Sequence, residues 1–289
     1  MHGWIILDKP VGPGSTQAVS AVKRALRIGG YPKLKVGHGG TLDPLASGVL
    51  PVAVGEATKL SGRMLDADKV YQFSIGFGIE TDTLDAEGQT VATSDIRPSA
   101  TEIEAILSRF TGAIDQMPPA YSALKVDGQR AYDLARAGSE VRLEPRRVTI
   151  HHLALTGPDT FTARVSKGTY IRSLARDIAH ALGTVGHVTM LRRTKAGPFT
   201  LESAISLDKL EEMAKARSLE HILLPLTAGL DDIPALSVSP DQARALRQGR
   251  TLIGTTATPG LALAMDGETP VALVERDGPE IRVVRGFNL

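Results

Sequence analysis

The chain has 289 residues, 42% hydrophobic and 22% charged, with a formal net charge of +1 and no cysteine. That composition suits a globular protein of one large or two ordinary domains and excludes a disulfide framework or a thiolate metal site. No apolar run approaches the ~20 residues that span a bilayer, and the opening MHGWIILDKPVG lacks the basic and apolar regions of a signal peptide, so a cytoplasmic protein is expected. From the amino terminus, WIILDK reads as a short strand, followed by a Pro/Gly turn and a helix. Ser15 and Thr16 are its N-cap candidates, ahead of the apolar positions Val19, Val22 and Leu26.

Residues 37–59, GHGGTLDPLASGVLPVAVGEATK, place one carboxylate, Asp43, between a glycine pair and a proline. Gly39 and Gly40 permit positive φ or close backbone approach, and Pro44 drives Asp43 away from helical geometry. Asp43 is therefore expected on a stiff, exposed loop, either as a turn-former or as a reactive group. A strand is expected at 71–78, then an acidic turn region. An amphipathic helix is expected at 99–110, with Ile103, Ile106, Leu107 and Phe110 on one face.

Within MPPAYSALKVDGQRAYDLARAG, a helix at about 129–137 would end at Gly138. EVRLEPRRVTIHHLAL returns to strand, with Arg142, Arg146 and Arg147 clustered at its start, and Phe161, Ala163 and Val165 alternate as a half-buried strand. Positions 171, 174, 175, 178, 179 and 182 form a helical apolar stripe. Arg172 lies off that stripe in the first turn, where a cation opposes the helix dipole at ~0.3–1 kcal/mol. It is either an ordinary surface arginine or one with an anionic partner. LDDIPAL near residue 230 reads as a linker, followed by a short helix at about 240–247 and several strand-like runs.

Charge is unevenly spread: residues 1–60 carry seven Lys/Arg against three acids, 61–120 four against ten, and 121–200 thirteen against six. Positive charge thus gathers in two stretches, as a local phosphate-binding face would require. A metal site is not expected. His38 has no second ligand at suitable spacing, and His151 and His152 would alternate faces on a strand.

His38, Gly40, Thr41, Leu42, Asp43, Pro44, Leu45, Ala46 and Gly48, continuing to Gly55, Ala57, Thr58 and Lys59, closely resemble the catalytic motif of the bacterial B-type tRNA pseudouridine-55 synthases. Lys9, Pro10 and Gly12, the run PPAYSALK and the run KGTYIR resemble further motifs of that family. Gly39 departs from it, standing where the family usually has threonine. The resemblance implies an α+β catalytic domain on a mixed, largely antiparallel sheet over residues 1–232, with an RNA-binding insertion at about 121–150. A small PUA-like RNA-binding β-barrel would follow at 233–289.

By the same resemblance, Asp43 is the nucleophile and Arg172 its salt-bridge partner, holding an oriented carboxylate. Tyr71 would lie against the target uracil, as a stacking or proton-transfer group. Tyr170 and Leu191 would contact the substrate nucleotide, His38 the RNA beside the flipped base, and Lys9 would lie close to the active site. The implied partner is the T arm of tRNA, bound by a monomer, with no cofactor, metal or membrane. Two rival readings share these residues: a non-catalytic RNA binder or tRNA-folding chaperone, and a guide-RNA-dependent relative of the dyskerin type.

Overall fold

The computed structural model describes residues 1–122, 124–126, 129–130, 143–254 and 259–289. The chain opens with β1 (Gly3–Lys9) and α1 (Ser15–Ile28), then β2 (Val36–His38) and β3 (Ala46–Val54). A 3₁₀ turn at Gly55–Leu60 leads to α2 (Ser61–Asp66) and β4 (Lys69–Phe77). The hairpin β5 (Ile79–Thr81) and β6 (Thr90–Thr93) precedes α3 (Ala100–Leu107) and β7 (Gly112–Gln116). A two-residue hairpin follows, β8 (Lys125–Val126) with β9 (Gln129–Arg130), then β10 (Arg146–Leu155), β11 (Thr160–Val165) and α4 (Ile171–Ala181). β12 (Gly186–Ala196), β13 (Phe199–Thr200), α5 (Leu207–Lys215) and β14 (Leu224–Pro225) complete this part.

Among the described residues, ten strands form one sheet, ordered β14-β1-β3-β12-β4-β11-β10-β7, with β2 on β3 and β13 on β12. Every pairing is antiparallel except β3 with β12. The fold class is therefore the expected α+β, on a mixed, largely antiparallel sheet. WIIL in β1 and VLPVAV in β3 are continuously apolar because both faces of the sheet are covered. Ile5, Leu7, Leu50 and Val52 face a core shared with α1 and α4, while Trp4, Ile6, Val49 and Ala53 face the other side.

That second side is covered by the carboxyl-terminal part. β15 (Ala235–Ser237), α6 (Pro240–Arg247), β16 (Leu252–Ile253), β17 (Gly260–Asp266), β18 (Thr269–Asp277) and β19 (Glu280–Gly286) follow the linker. Their five strands form a separate sheet with its own core around Leu246, Val271 and Val274. Leu263, Leu273 and Phe287 join Trp4 and Ile6 beneath the ten-stranded sheet. Lys59 Nζ donates to Gly286 O at 2.8 Å, and Glu56 accepts from the Asn288 amide.

Some local expectations are revised. The N-cap of α1 is Gly14, not Ser15 or Thr16, because Gly14 holds the extended backbone and Gln17 returns to its amide. His151 and His152 do not alternate faces, since a register shift after Ile150 leaves both outward. The helix expected at 129–137, Gly138 and Arg142 lie outside the described residues, apart from the strand pair at 129–130. Among the described residues no helix is long and apolar enough to cross a membrane.

Phe287 is almost wholly buried between the two sheets. Phe287→Ala should lower the unfolding free energy by ~3–5 kcal/mol, the scale of a buried Phe truncation, in a denaturant titration. A change below about 1 kcal/mol would show that the second sheet does not rest on this contact.

Candidate active site

Asp43 lies on the loop between β2 and β3, and the carbonyls of residues 40–44 are all hydrogen-bonded. Gly40 has φ +128°, a conformation glycine adopts without strain. The Gly39 amide donates to Pro51 O, the Ala46 amide to Asp43 O and the Gly12 amide to Pro44 O. Ser15, freed from capping, accepts from the Leu42 amide at 2.7 Å and donates to Leu42 O at 3.0 Å.

Two buried cations hold the loop through its carbonyls. Arg193 on β12, 1% exposed, donates to Gly40 O, Thr41 O and Val49 O. Lys9, wholly buried at the end of β1, donates to Pro10 O and Pro13 O at 2.8 Å and reaches Pro44 O at 3.5 Å. The missing threonine at Gly39 is explained by packing. A Cβ there would sit 2.4 Å from Met64 Cβ, so the methionine of α2 fills the space a side chain would need.

Arg172, in the first turn of α4 and 6% exposed, reaches Asp43 Oδ2 at 3.0 Å with one guanidinium nitrogen. Its other terminal nitrogen lies 3.3 Å from Asp85 Oδ2, whose carboxylate is itself buried. Arg172 also donates to Thr83 O and Tyr121 O, each at 2.9 Å. Asp85 in turn accepts from the Thr83 hydroxyl and the Glu87 amide. The turn that brings Thr83 O and Asp85 to Arg172 contains Leu84 at φ +61°, a strained conformation costing ~1–3 kcal/mol. The anionic partner that Arg172's place in α4 called for is thus two carboxylates.

A cavity of about 280 Å³ opens over this pair, lined by Asp43, Tyr71, Tyr170, Arg172 and Leu191. Tyr71 on β4 is flanked by Ala163 of β11 and Arg193 of β12. Its hydroxyl makes no hydrogen bond among the described residues. Tyr170 is fixed at both backbone groups by the Gln116 side chain, at 2.8 and 3.1 Å, and its ring lies 5.7 Å from the Arg146 guanidinium.

Five of the seven residues singled out from the sequence therefore share one cavity. Lys9 is not among the residues that line it, and its buried ammonium is held by main-chain carbonyls. His38 lines the neighbouring cleft, and burial, reinforced by Arg193, pushes its imidazole below the usual value towards the neutral form. The sequence reading missed Asp85, Arg193 and Lys69. The last lines the cavity and donates to Met64 O, Leu65 O and Ala67 O at the end of α2. Burial pushes the Lys69 ammonium down to about 8. Glu87 moves the opposite way, raised by burial and then by the charges of Asp85 and Asp43.

Solved structures place this fold. The crystal structure of the archaeal box H/ACA sRNP Nop10-Cbf5 complex is 26% identical with a TM-score of 0.72, covering 99% of this chain and 86% of that one. A Cbf5-Nop10-Gar1 complex is 27% identical with a TM-score of 0.73, over 99% and 85%. The family models give the class of enzyme, a pseudouridine synthase. Residues 23–171 match the TruB family pseudouridylate synthase N-terminal domain, and residues 172–231 the tRNA pseudouridylate synthase B C-terminal domain. The chain is 66% identical to the tRNA pseudouridine synthase B of Zymomonas mobilis, over 100% of this chain and 96% of that protein. It is 65% identical to that of Novosphingobium aromaticivorans, over 100% and 98%. The chain belongs to the TruB family of pseudouridylate synthases.

Burial pushes the Lys9 ammonium down to about 8. An unfolded lysine titrates near ~10.4, so between these limits the unfolded chain binds the extra proton and stability rises with pH. Relative to Lys9→Met, the wild type should gain stability from about pH 8 upward, read from urea midpoints. A difference independent of pH would show that the carbonyl cage holds the proton at its ordinary affinity.

Proposed function

We propose that this enzyme converts uridine to pseudouridine at position 55 in the T loop of tRNA, with Asp43 as the nucleophile. The observation that carries the reading is the 3.0 Å pair between Asp43 and buried Arg172 at the floor of a cavity large enough for one nucleoside. The reaction is an isomerisation. The bond from C1′ to N1 of the uracil breaks, a bond from C1′ to C5 forms, C5 loses its proton and N1 gains one. No electron or group leaves the substrate, so the chain's own side chains suffice.

The target base is stacked within a folded loop, so it must be extruded before the chemistry begins. Loop shape and backbone, rather than groove readout, then set recognition. Asp43 acts covalently and divides one hard step into two, at the ring, at the sugar carbon, or by way of a glycal intermediate. Arg172 aims its carboxylate, leaving one Asp43 oxygen free of that pair for attack. Tyr71 offers a ring face for the uracil, a contact of ~1–3 kcal/mol, and a hydroxyl for proton transfer. Tyr170 and Leu191 close the nucleotide's far sides.

Residues 1–232 would form the catalytic unit, acting as a monomer. The 121–150 segment and the sheet of 233–289 would hold the rest of the T arm. The likeness to Cbf5 complexes raises a guide-dependent alternative. It is disfavoured by the 65–66% identity to proteins named tRNA pseudouridine synthase B, against 26–27% for the Cbf5 chains.

Asp43→Asn should reduce pseudouridine formation on unmodified tRNA by at least ~10³-fold, the scale of losing a nucleophile, while RNA affinity changes little. Mapping the modified uridine in the wild-type reaction tests the position. Normal turnover by the variant would remove Asp43 from its role, and modification only with an added guide RNA would remove the unaided reading.

A further inference from the structure

A second and larger cleft, about 830 Å³, lies beside the catalytic cavity. Its walls are the carboxyl-terminal half of α1, the loop at 31–35, β2, Thr58 of the 3₁₀ turn and Ser61 at the start of α2. Four exposed cations line it: Lys23, Arg27, Lys33 and Lys35. No carboxylate does. Its floor is apolar, formed by Leu26, Leu34 and Val36.

The cations differ from their neighbours in being unpaired. Arg24 pairs with Glu211, Lys59 with Glu56 and Arg63 with Asp232. Among the described residues, Lys23, Arg27, Lys33 and Lys35 make no ion pair or side-chain hydrogen bond. Glu220, whose carboxylate accepts from the hydroxyl of Tyr31, makes no ion pair with them. Two buried polar atoms at the cleft are also unpartnered, His38 Nδ1 and Ser61 Oγ. A folded chain rarely leaves such groups orphaned unless a ligand or solvent meets them.

We infer that this cleft is a phosphate-binding subsite for the RNA strand adjoining the target nucleotide. The inference rests on the proposed RNA substrate and extends it to a surface that the catalytic residues do not touch. Four cations spread along one cleft match a polyanion better than a single anion, and the apolar floor suits the sugar face between phosphates. The segment 38–40 separates the two cavities: His38 lines the cleft and Gly40 lines the catalytic cavity. A strand with its target base in one cavity therefore passes directly over the other, and unpaired cations placed there supply affinity without entering the chemistry.

The test is RNA binding as a function of salt, with a T-arm stem-loop, for Lys33→Ala/Lys35→Ala and for Lys23→Ala/Arg27→Ala. Each pair should weaken binding at low salt by roughly tenfold and lower the log-log salt slope by ~0.7–0.9 per phosphate contact removed. The single-turnover rate at saturating RNA should be unchanged. Lys33→Arg/Lys35→Arg should restore the slope. Arg109→Ala, an exposed cation on the far edge of the sheet, should leave it as in the wild type. Unaltered thermal midpoints show that the variants fold. Wild-type affinity and slope in both Ala pairs would overturn the inference. Lowered slopes with no pseudouridine formed by the wild type would uphold the subsite and overturn the catalytic reading instead.

Discussion

The structure turns on one buried guanidinium. Arg172 is 6% exposed, and an ion taken out of water must recover several kcal/mol through partners of good geometry. It has four: two carboxylates, Asp43 and Asp85, and the carbonyls of Thr83 and Tyr121. Asp85 is buried and neutralises the arginine, so the remaining negative charge belongs to Asp43, the one of the two carboxylates that lines the cavity. The arrangement yields an oriented, part-exposed carboxylate held from the interior by a buried arginine. Removing Arg172 would strand the buried Asp85 and release Asp43, so the three residues act as one unit.

The rest of the catalytic loop follows the same logic with neutral acceptors. Arg193 and Lys9 each take three main-chain carbonyls, and Lys69 takes three more at the end of α2. Cations held by carbonyls keep their charge uncancelled. The walls around Asp43 therefore stay positive even as its loop is made stiff. Burial, with Arg193 adding to it, lowers the affinity of His38 for a proton, and the positive walls favour a polyanionic substrate. The apolar β1 and β3, covered on both faces, form the rigid frame on which this loop is hung.

Much of this was legible in residue order. Pro44 and the glycine pair marked a non-helical loop for Asp43, and a cation in the first turn of α4 marked Arg172 as needing an anion. The alternation in β11 and the stripe in α4 gave the core faces. What stayed hidden depends on tertiary proximity. Asp85 reads as one more acid in an acidic turn until its bridge to Val188 folds that turn inward. Lys9 reads only as lying close to the active site, because nothing local reveals three carbonyls converging on its ammonium. Ser15 looks like a cap, since its actual partner, Leu42, is 27 residues away. Gly39 looks like a lost restraint until Met64 is seen to fill the space.

The most direct measurement is the single-turnover rate of Arg172→Lys on unmodified tRNA at saturating enzyme, together with RNA affinity. Lysine keeps the charge but cannot bridge two carboxylates with a planar fork. If the shared arginine is what aims Asp43, the rate falls by at least ~10²-fold, as for a lost orienting group, while affinity stays near that of the wild type. A variant as fast as the wild type would contradict the account.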